Sequence, residues 1–352
     1  MFGPEYFWKD ESMSLRDTRV TLAHGGGGTA MRDLIEEVFT SVFAPETMED
    51  QARLMDAALQ VPGARLAFTT DSFVVDPVEF PGGNIGTIAV CGTVNDLVVG
   101  GARPLWLSAA FIIEEGTEMA LLRRIVASMQ AEAERAGVRI VTGDTKVVGR
   151  GMADKVFVTT SGVGVIPPGR DLQAGNIREG DVVIVNGLLG DHGAAILCAR
   201  GDMALSVEIV SDCQGLGHLM EAVLAAAPGT HAARDATRGG VASVLNELAG
   251  AAGLGIEIEE AAVPLRTEVR GICEILGLDP LYLANEGTMV VVVQKDDAEA
   301  VLAAMHARQE GRNAVVIGRV MANSAGRVVM RTLFGGQRIV DMLVGEQLPR
   351  IC

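Results

Sequence analysis

Apolar positions along this chain recur with two different periods. From Thr117 to Ala136 they fall three and four residues apart, which predicts an amphipathic helix closed by Gly137. The same spacing predicts helices over Met31–Phe43, with Leu34, Ile35, Val38 and Phe39 inward, and over His192–Ala199, Gly217–Ala227, Gly239–Gly250, Thr267–Leu276 and Asp297–Gln309. Gly86–Gly100 reads as a mostly apolar helix interrupted at Asn95-Asp96. Short apolar runs predict strands at Leu66–Ser72, Leu105–Ile113, Val156–Val165, Asp181–Asn186, Ile256–Ile258, Met289–Val293, Ala314–Val320 and Arg327–Arg331. A further strand, Val138–Thr142, runs into Gly143-Asp144-Thr145-Lys146.

Pro167-Pro168-Gly169 and the polar stretch Leu172–Gly180 break this rhythm, and it resumes afterwards in similar order. The expected fold is therefore α/β (α+β), with two related lobes. Strict strand–helix alternation is absent, so mixed or antiparallel sheets are expected. The divisions are an N-terminal extension over 1–20, a first lobe over 21–166, a second lobe over 167–345 and a short polar tail over 346–352.

Composition narrows the function. The 352 residues carry 29 basic and 45 acidic side chains, a net charge of −16. Such a surface repels phosphate backbones and anionic lipid, so neither nucleic acid nor a membrane is an expected partner. No apolar run is long enough to span a bilayer, and the first residues lack the pattern of a secretion signal, so a cytoplasmic location is expected. The five cysteines form no CxxC pair, which argues against a zinc knuckle or disulfide framework. Cys91, Cys198, Cys213 and Cys273 read as small core residues, whereas Cys352 is the last residue of the chain. A terminal thiol after Pro-Arg-Ile cannot easily pack on several sides; an incidental residue is the plain alternative.

The familiar nucleotide motifs fail. No Gly-Lys pair exists for a Walker A loop, and Gly162-Val-Gly164 has Pro167 where a third glycine is required. A different set of residues remains. Asp71, Asp96, Asp144 and Asp235 each stand beside Gly, Asn or Thr at an element end. Singly these are ordinary caps or solvated turns. Together they suit a phosphate held through Mg²⁺, which takes oxygen ligands and bridges phosphate oxygens. Gly25, Gly26, Gly27 and Gly28 offer consecutive backbone amides before a helix, as an anion cradle or as a simple linker. Lys146, one of only four lysines, lies two residues after Asp144, on the same side of an extended chain, and would offset phosphate charge. Glu286 is either a solvated turn acid or a general base.

The segments HGGGG (His24–Gly28), TTDSFVVDP (Thr69–Pro77), GTVNDL (Gly92–Leu97), GDTKVV (Gly143–Val148), RDATRGG (Arg234–Gly240), NEG (Asn285–Gly287) and PRIC (Pro349–Cys352) follow one another in this order. Over about residues 19–352 this resembles the HypE-type hydrogenase maturation factors, carbamoyl dehydratases of the AIR-synthetase (PurM-like) ATP-binding superfamily. The resemblance implies two PurM-like lobes, a homodimer whose N-terminal lobes form a shared barrel, and a flexible C-terminal tail ending in a carrier cysteine. It implies ATP at His24, Gly25, Gly26, Gly27, Gly28, Asp71, Asn95, Asp96, Gly143, Asp144, Thr145, Asp235, Thr237, Arg238 and Asn285, with Mg²⁺ on Asp71, Asp96 and Asp144. Cys352 is then the carrier, Glu286 the base that takes an N–H proton, and Lys146 the charge-neutralising group. A HypF-type carbamoyltransferase would load the thiol and a HypC–HypD scaffold would receive the cyano group. Within the superfamily, a small-molecule enzyme of the AIR synthetase or thiamine-phosphate kinase type is the alternative. A non-enzymatic scaffold presenting Cys352 is another, and it leaves the acid set and Lys146 unused.

Overall fold

The computed structural model describes residues 17–46, 51–201, 208–323, 326–345, 348 and 350–352. Expected features that involve residues 1–16, and the tail positions Glu346, Gln347 and Pro349, lie outside the described residues.

The first lobe is built on a four-stranded sheet of β1 (Arg65–Phe73), β4 (Arg103–Glu114), β5 (Arg139–Val148) and β6 (Val156–Ile166), in the order β1-β6-β4-β5. The β4–β5 pair is parallel and the others antiparallel, so the sheet is mixed. A short ribbon, β2 (Glu79–Phe80) and β3 (Gly83–Asn84), leads into α3 (Ile85–Val99). Asn84 caps α3 by accepting the amides of Gly86 (2.8 Å) and Thr87 (3.2 Å). α4 (Met119–Ala136) ends at Gly137, whose φ of 68° stops the helix as its sequence suggests. Ahead of the sheet, α1 (Thr29–Leu34) and α2 (Ser41–Phe43) are joined by the π-helical stretch Ile35–Thr40.

The second lobe contains a seven-stranded sheet in the order β13-β12-β9-β11-β7-β10-β8. Its strands are β7 (Val182–Val185), β8 (Ala232–Asp235), β9 (Gly255–Glu259), β10 (Met289–Val293), β11 (Val315–Met321), β12 (Val328–Arg331) and β13 (Gln337–Val340). Only β9 and β12 pair in parallel. The helices are α5 (Asp191–Arg200), α6 (Gly217–Ala226), α7 (Gly240–Ala252), α8 (Thr267–Leu276) and α9 (Ala298–His306). The expected fold class holds: mixed α/β with mixed sheets.

Two differences from the sequence reading matter for function. The helix expected to break at Asn95-Asp96 is continuous. Asn95 does not compete with its own helix backbone, because its amide bonds a loop of the second lobe instead, accepting from Leu216 N (2.8 Å) and donating to Gln214 O (3.1 Å). The strand expected to end at Thr142 continues through Val148, so Asp144 and Lys146 are strand residues. The strands at Ala232–Asp235 and Gln337–Val340 were not foreseen, being short and partly polar. α3 is buried on nearly every side. It packs on the first sheet and α4, and also touches α6 and β8, so one helix carries side chains to the junction of both lobes.

Candidate functional site at the junction of the lobes

Thr69 and Asp71 alternate along β1 and so share the face turned to α3. Gly92 lets the helix come close: a Cβ there would lie 2.9 Å from the Phe73 ring and 3.8 Å from Asp71 Oδ2. Asp96, one turn after Gly92, falls on the same helix face and accepts a hydrogen bond from Thr69 Oγ1 at 2.7 Å. Asp235 ends β8 opposite Met289, and its charge interacts with those of Asp96 and Asp71. Burial raises all three carboxyls above their ordinary range. For Asp235 burial is again the first cause, repulsion from Asp96 and then Asp71 adds to it, and the value reaches about 7. Arg238, just beyond on the same loop, is a positive charge acting on both Asp71 and Cys352.

The Asn-Glu-Gly turn before β10 is locked from behind. A Cβ at Gly287 would lie 1.9 Å from the carbonyl oxygen of Asp212, so only glycine admits that loop. The Asp212 carboxylate accepts the amides of Glu286 and Gly287, each at 3.0 Å, and the Thr288 hydroxyl at 3.1 Å. Glu286 is thereby held with its side chain 2% exposed and with neither oxygen satisfied by a hydrogen bond. The thiol of Cys352 lies beside that carboxyl, without the geometry to satisfy either oxygen.

Cys352 arrives there because the tail is docked. The carbonyl of Arg350 accepts from Arg200 Nη2 (2.8 Å) and from the Asp76 amide (3.2 Å), while that of Ile351 accepts from His192 Nε2 (2.7 Å). The Ile351 side chain is 5% exposed and belongs to the main core. Burial raises the Glu286 carboxyl well above its usual value, and Asp212 and Asp235 add to the shift. The Cys352 thiol is raised for the same first reason, with Glu286 adding to it. A group carried on this sulfur is presented directly to a carboxyl kept out of water.

The other expected residues divide into two groups. Asp144 and Lys146 pair with each other (Nζ to oxygen 2.7 and 2.8 Å) on the far face of the sheet. Asp71 aligns across the sheet with Thr160, Ala109 and Gly143, whereas Asp144 aligns with Ala110 on the opposite face. With three strand spacings between β1 and β5, that pair stands on the order of 14 Å from Asp71 within one chain. The glycine loop reaches the same strand: a Cβ at Gly25 would touch Val147 at 2.9 Å, and Gly26, Gly27 and Gly28 are exposed. Thr145 is buried on the helix side of β5. Thr237 belongs to the turn into α7, its carbonyl accepting the Gly240 amide at 3.0 Å.

Three of the expected ligand residues also make hydrogen bonds within the protein. Asn95 bonds the second-lobe loop. Asn285 accepts from Gly190 N (2.7 Å) and donates to Ala236 O (2.8 Å) and Leu283 O (3.2 Å). His24 is buried, and its Nδ1 accepts the Thr21 amide at 3.0 Å, capping its own turn. Cys213 also differs from a plain core residue, because it faces Cys91 and Glu286. Asp212, His192, Ser211 and Arg200 went unrecognised in the sequence. Segment 208–216 has no periodicity, and nothing in the spacing says that the chain terminus returns to α5.

Such an arrangement defines a class. The two lobes correspond to the AIR synthase related proteins: the N-terminal domain of that family matches residues 53–166 and the C-terminal domain residues 178–331. The carbamoyl dehydratase HypE of Rhodobacter capsulatus is 76% identical over 340 residues, covering 97% of this chain and all of the relative. A crystal structure of the hydrogenase maturation protein HypE in complex with ATP superposes with a TM-score of 0.88 at 45% identity, covering 94% of this chain and 99% of that one. A HypE–HypF complex superposes with a TM-score of 0.77 at 45% identity, covering 88% and 99%. The chain belongs to the AIR synthase related family and, within it, to the HypE type.

Proposed function

We propose that this chain is an ATP-dependent carbamoyl dehydratase that works on its own C-terminal cysteine. The observation that carries the reading is the placement of the Cys352 thiol beside the buried, unsatisfied carboxyl of Glu286. The substrate is a carbamoyl group on that sulfur, R–S–C(=O)–NH₂. Its oxygen is a poor leaving group until it is phosphorylated. Transfer of the γ-phosphoryl group of ATP to that oxygen lets it depart as phosphate, and loss of both N–H protons leaves R–S–C≡N. Glu286 is the group placed to take a nitrogen proton. Its dry surroundings also keep water from the phosphorylated intermediate.

Mg²⁺ fits the remaining residues. Asp71, Asp96 and Asp235 bring three carboxyls near one arginine, Arg238; burial first of all raises their pKa values, and repulsion between carboxyls adds to it at Asp96 and Asp235. Among the described residues no three acids already form a complete metal cage. Magnesium is usually held by one or two carboxylates together with phosphate oxygens, so a full protein cage is not required. Asp71 and Asp96 would hold the ion, which would supply positive charge to offset that on the transferred phosphoryl group. We assign Asp71 and Asp96 as the principal ligands, with Asp235 beside them.

For Asp144, Lys146 and Gly26–Gly28 we propose a phosphate-side role exercised in a homodimer. β1 and β5 are both free edges of a sheet whose outer face exposes Phe68 by 71% and Leu66 by 68%, as expected of strands meant to be covered by a second copy. A HypF-type carbamoyltransferase is the proposed donor of the carbamoyl group, supported by the solved HypE–HypF complex. A HypC–HypD scaffold is the proposed acceptor of the cyano group, and the cytoplasm the proposed compartment. The alternatives lose ground. A small-molecule kinase has no use for a docked terminal thiol, and a passive scaffold has none for the acid cluster. Incubation with the carbamoyltransferase, carbamoyl phosphate and Mg²⁺–ATP, followed by peptide mass analysis, tests the reading. Cys352 should gain a carbamoyl group and then lose one water; a carbamoyl group that persists unchanged in the presence of Mg²⁺–ATP contradicts it.

A further inference from the structure

His192 is fully buried yet makes two short hydrogen bonds, one with each ring nitrogen. Nε2 meets the carbonyl oxygen of Ile351 at 2.7 Å. A carbonyl only accepts, so Nε2 carries the proton. Burial holds the imidazole neutral, its pKa lowered to about 4, so Nδ1 is an acceptor. It therefore accepts a hydrogen bond from the Ser211 hydroxyl, 2.8 Å away. Ser211 Oγ in turn accepts the Cys213 amide at 3.1 Å. Phe80 stacks edge-on against the ring at 5.4 Å and fixes its plane.

The residue between Ser211 and Cys213 is Asp212, whose carboxylate holds the backbone of Glu286 and Gly287. The tail is therefore read twice by one loop. Its last carbonyl reaches the loop through His192 and Ser211, and its thiol lies against the carboxyl that Asp212 positions. We infer that His192 is a positioning residue that latches the tail inward through the Ile351 carbonyl and couples tail docking to the placement of Glu286. The latch rests on the dehydratase reading for its purpose but not for its geometry. It recognises main chain, so it serves the tail whether or not Cys352 is modified, and it acts alongside the Arg200 and Asp76 contacts to Arg350.

The test uses the full chain without nucleotide. The rate at which an alkylating reagent labels Cys352 is followed at the C-terminal peptide by mass spectrometry. His192→Phe keeps a flat apolar ring but removes the donor, and should speed labelling roughly three- to tenfold, the range of one neutral hydrogen bond. His192→Gln, whose side-chain amide again offers a donor, should restore slow labelling. Ser211→Ala leaves the ring in place but loosens its tautomer, and should raise the rate by a smaller factor; it carries the test if His192→Phe fails to fold. Carbamoyl transfer to His192→Phe should persist, while single-turnover water loss slows. Wild-type labelling rates in both His192→Phe and Ser211→Ala overturn the latch, as does faster labelling that His192→Gln does not reverse. Failure of the dehydratase reading shows separately, as no water loss from the wild-type chain with ATP.

Discussion

The carboxyl of Glu286 and the thiol of Cys352 lie side by side, although one belongs to a turn before a central strand and the other is the chain terminus. Neither group has a strong partner of its own. A buried acid without hydrogen bonds is costly for the fold, and such strain is retained where chemistry uses it. Glu286→Gln should preserve shape while removing the base. Carbamoylation of Cys352 should proceed, and the water-loss step should slow by roughly two to four orders of magnitude. Time-resolved mass analysis of the tail peptide separates the two steps, and normal water loss would remove Glu286 from the mechanism.

Asp71→Asn and Asp96→Asn each withdraw one hard oxygen anion from the proposed cation site. Titration calorimetry should show Mg²⁺–ATP affinity falling by about tenfold or more in each, with little change in the affinity for magnesium-free ATP. Near-native Mg²⁺–ATP binding in both variants contradicts the placement of the metal.

Asp235 links the site to pH. Its pKa rises from 3.8 to about 7 on folding, so the folded chain binds that proton more tightly than the unfolded one. The corresponding stability is fully present below about pH 4 and is lost as pH rises through about 7. Asp235→Asn removes the penalty. The nucleotide-free variant should be more stable than the parent near pH 8, by roughly 1–3 kcal/mol, with the gap closing toward about pH 4. Denaturant melts at the two pH values check the sign.

Gly287→Ala should be severe for a local reason. Its Cβ would enter the space of the Asp212 carbonyl oxygen, 1.9 Å away, and displace the loop that holds Glu286. A loss of about 2–4 kcal/mol in denaturant unfolding is expected, together with loss of turnover; unchanged stability would mean that the loop moves freely.

Most of the fold was legible because long periodic segments dominate it. Thr267–Leu276 and Met289–Val293 match their expected limits, and α4 begins within two residues of its expected start. The short strands Ala232–Asp235 and Gln337–Val340 carry too few apolar residues to announce themselves and owe their pairing to the neighbouring strands. At the site, the sequence singled out acids by their element ends, and Asp71, Asp96 and Asp235 do converge. It could not distinguish the two faces of one sheet, which sends Asp144 and Lys146 away from Asp71. Nor could it show that Asn95, Asn285 and His24 make hydrogen bonds inside the protein, because those partners come from distant segments or from the local turn geometry. The residues that hold the tail stayed hidden because a contact between α5 and the terminus is set by the whole second lobe.

In the proposed reaction, Cys352 carries the group on which ATP acts. Intact-mass measurement of the wild-type chain and of Cys352→Ala, each with carbamoyltransferase, carbamoyl phosphate and Mg²⁺–ATP, tests it most directly. The account predicts a carbamoyl adduct on the wild-type tail that loses one water only when ATP is present. In Cys352→Ala neither adduct nor water loss is expected, with ATP affinity close to wild type because Cys352 supplies none of the proposed nucleotide or metal contacts. An adduct that forms on another residue, or one on Cys352 that keeps its water with ATP bound, would contradict the account.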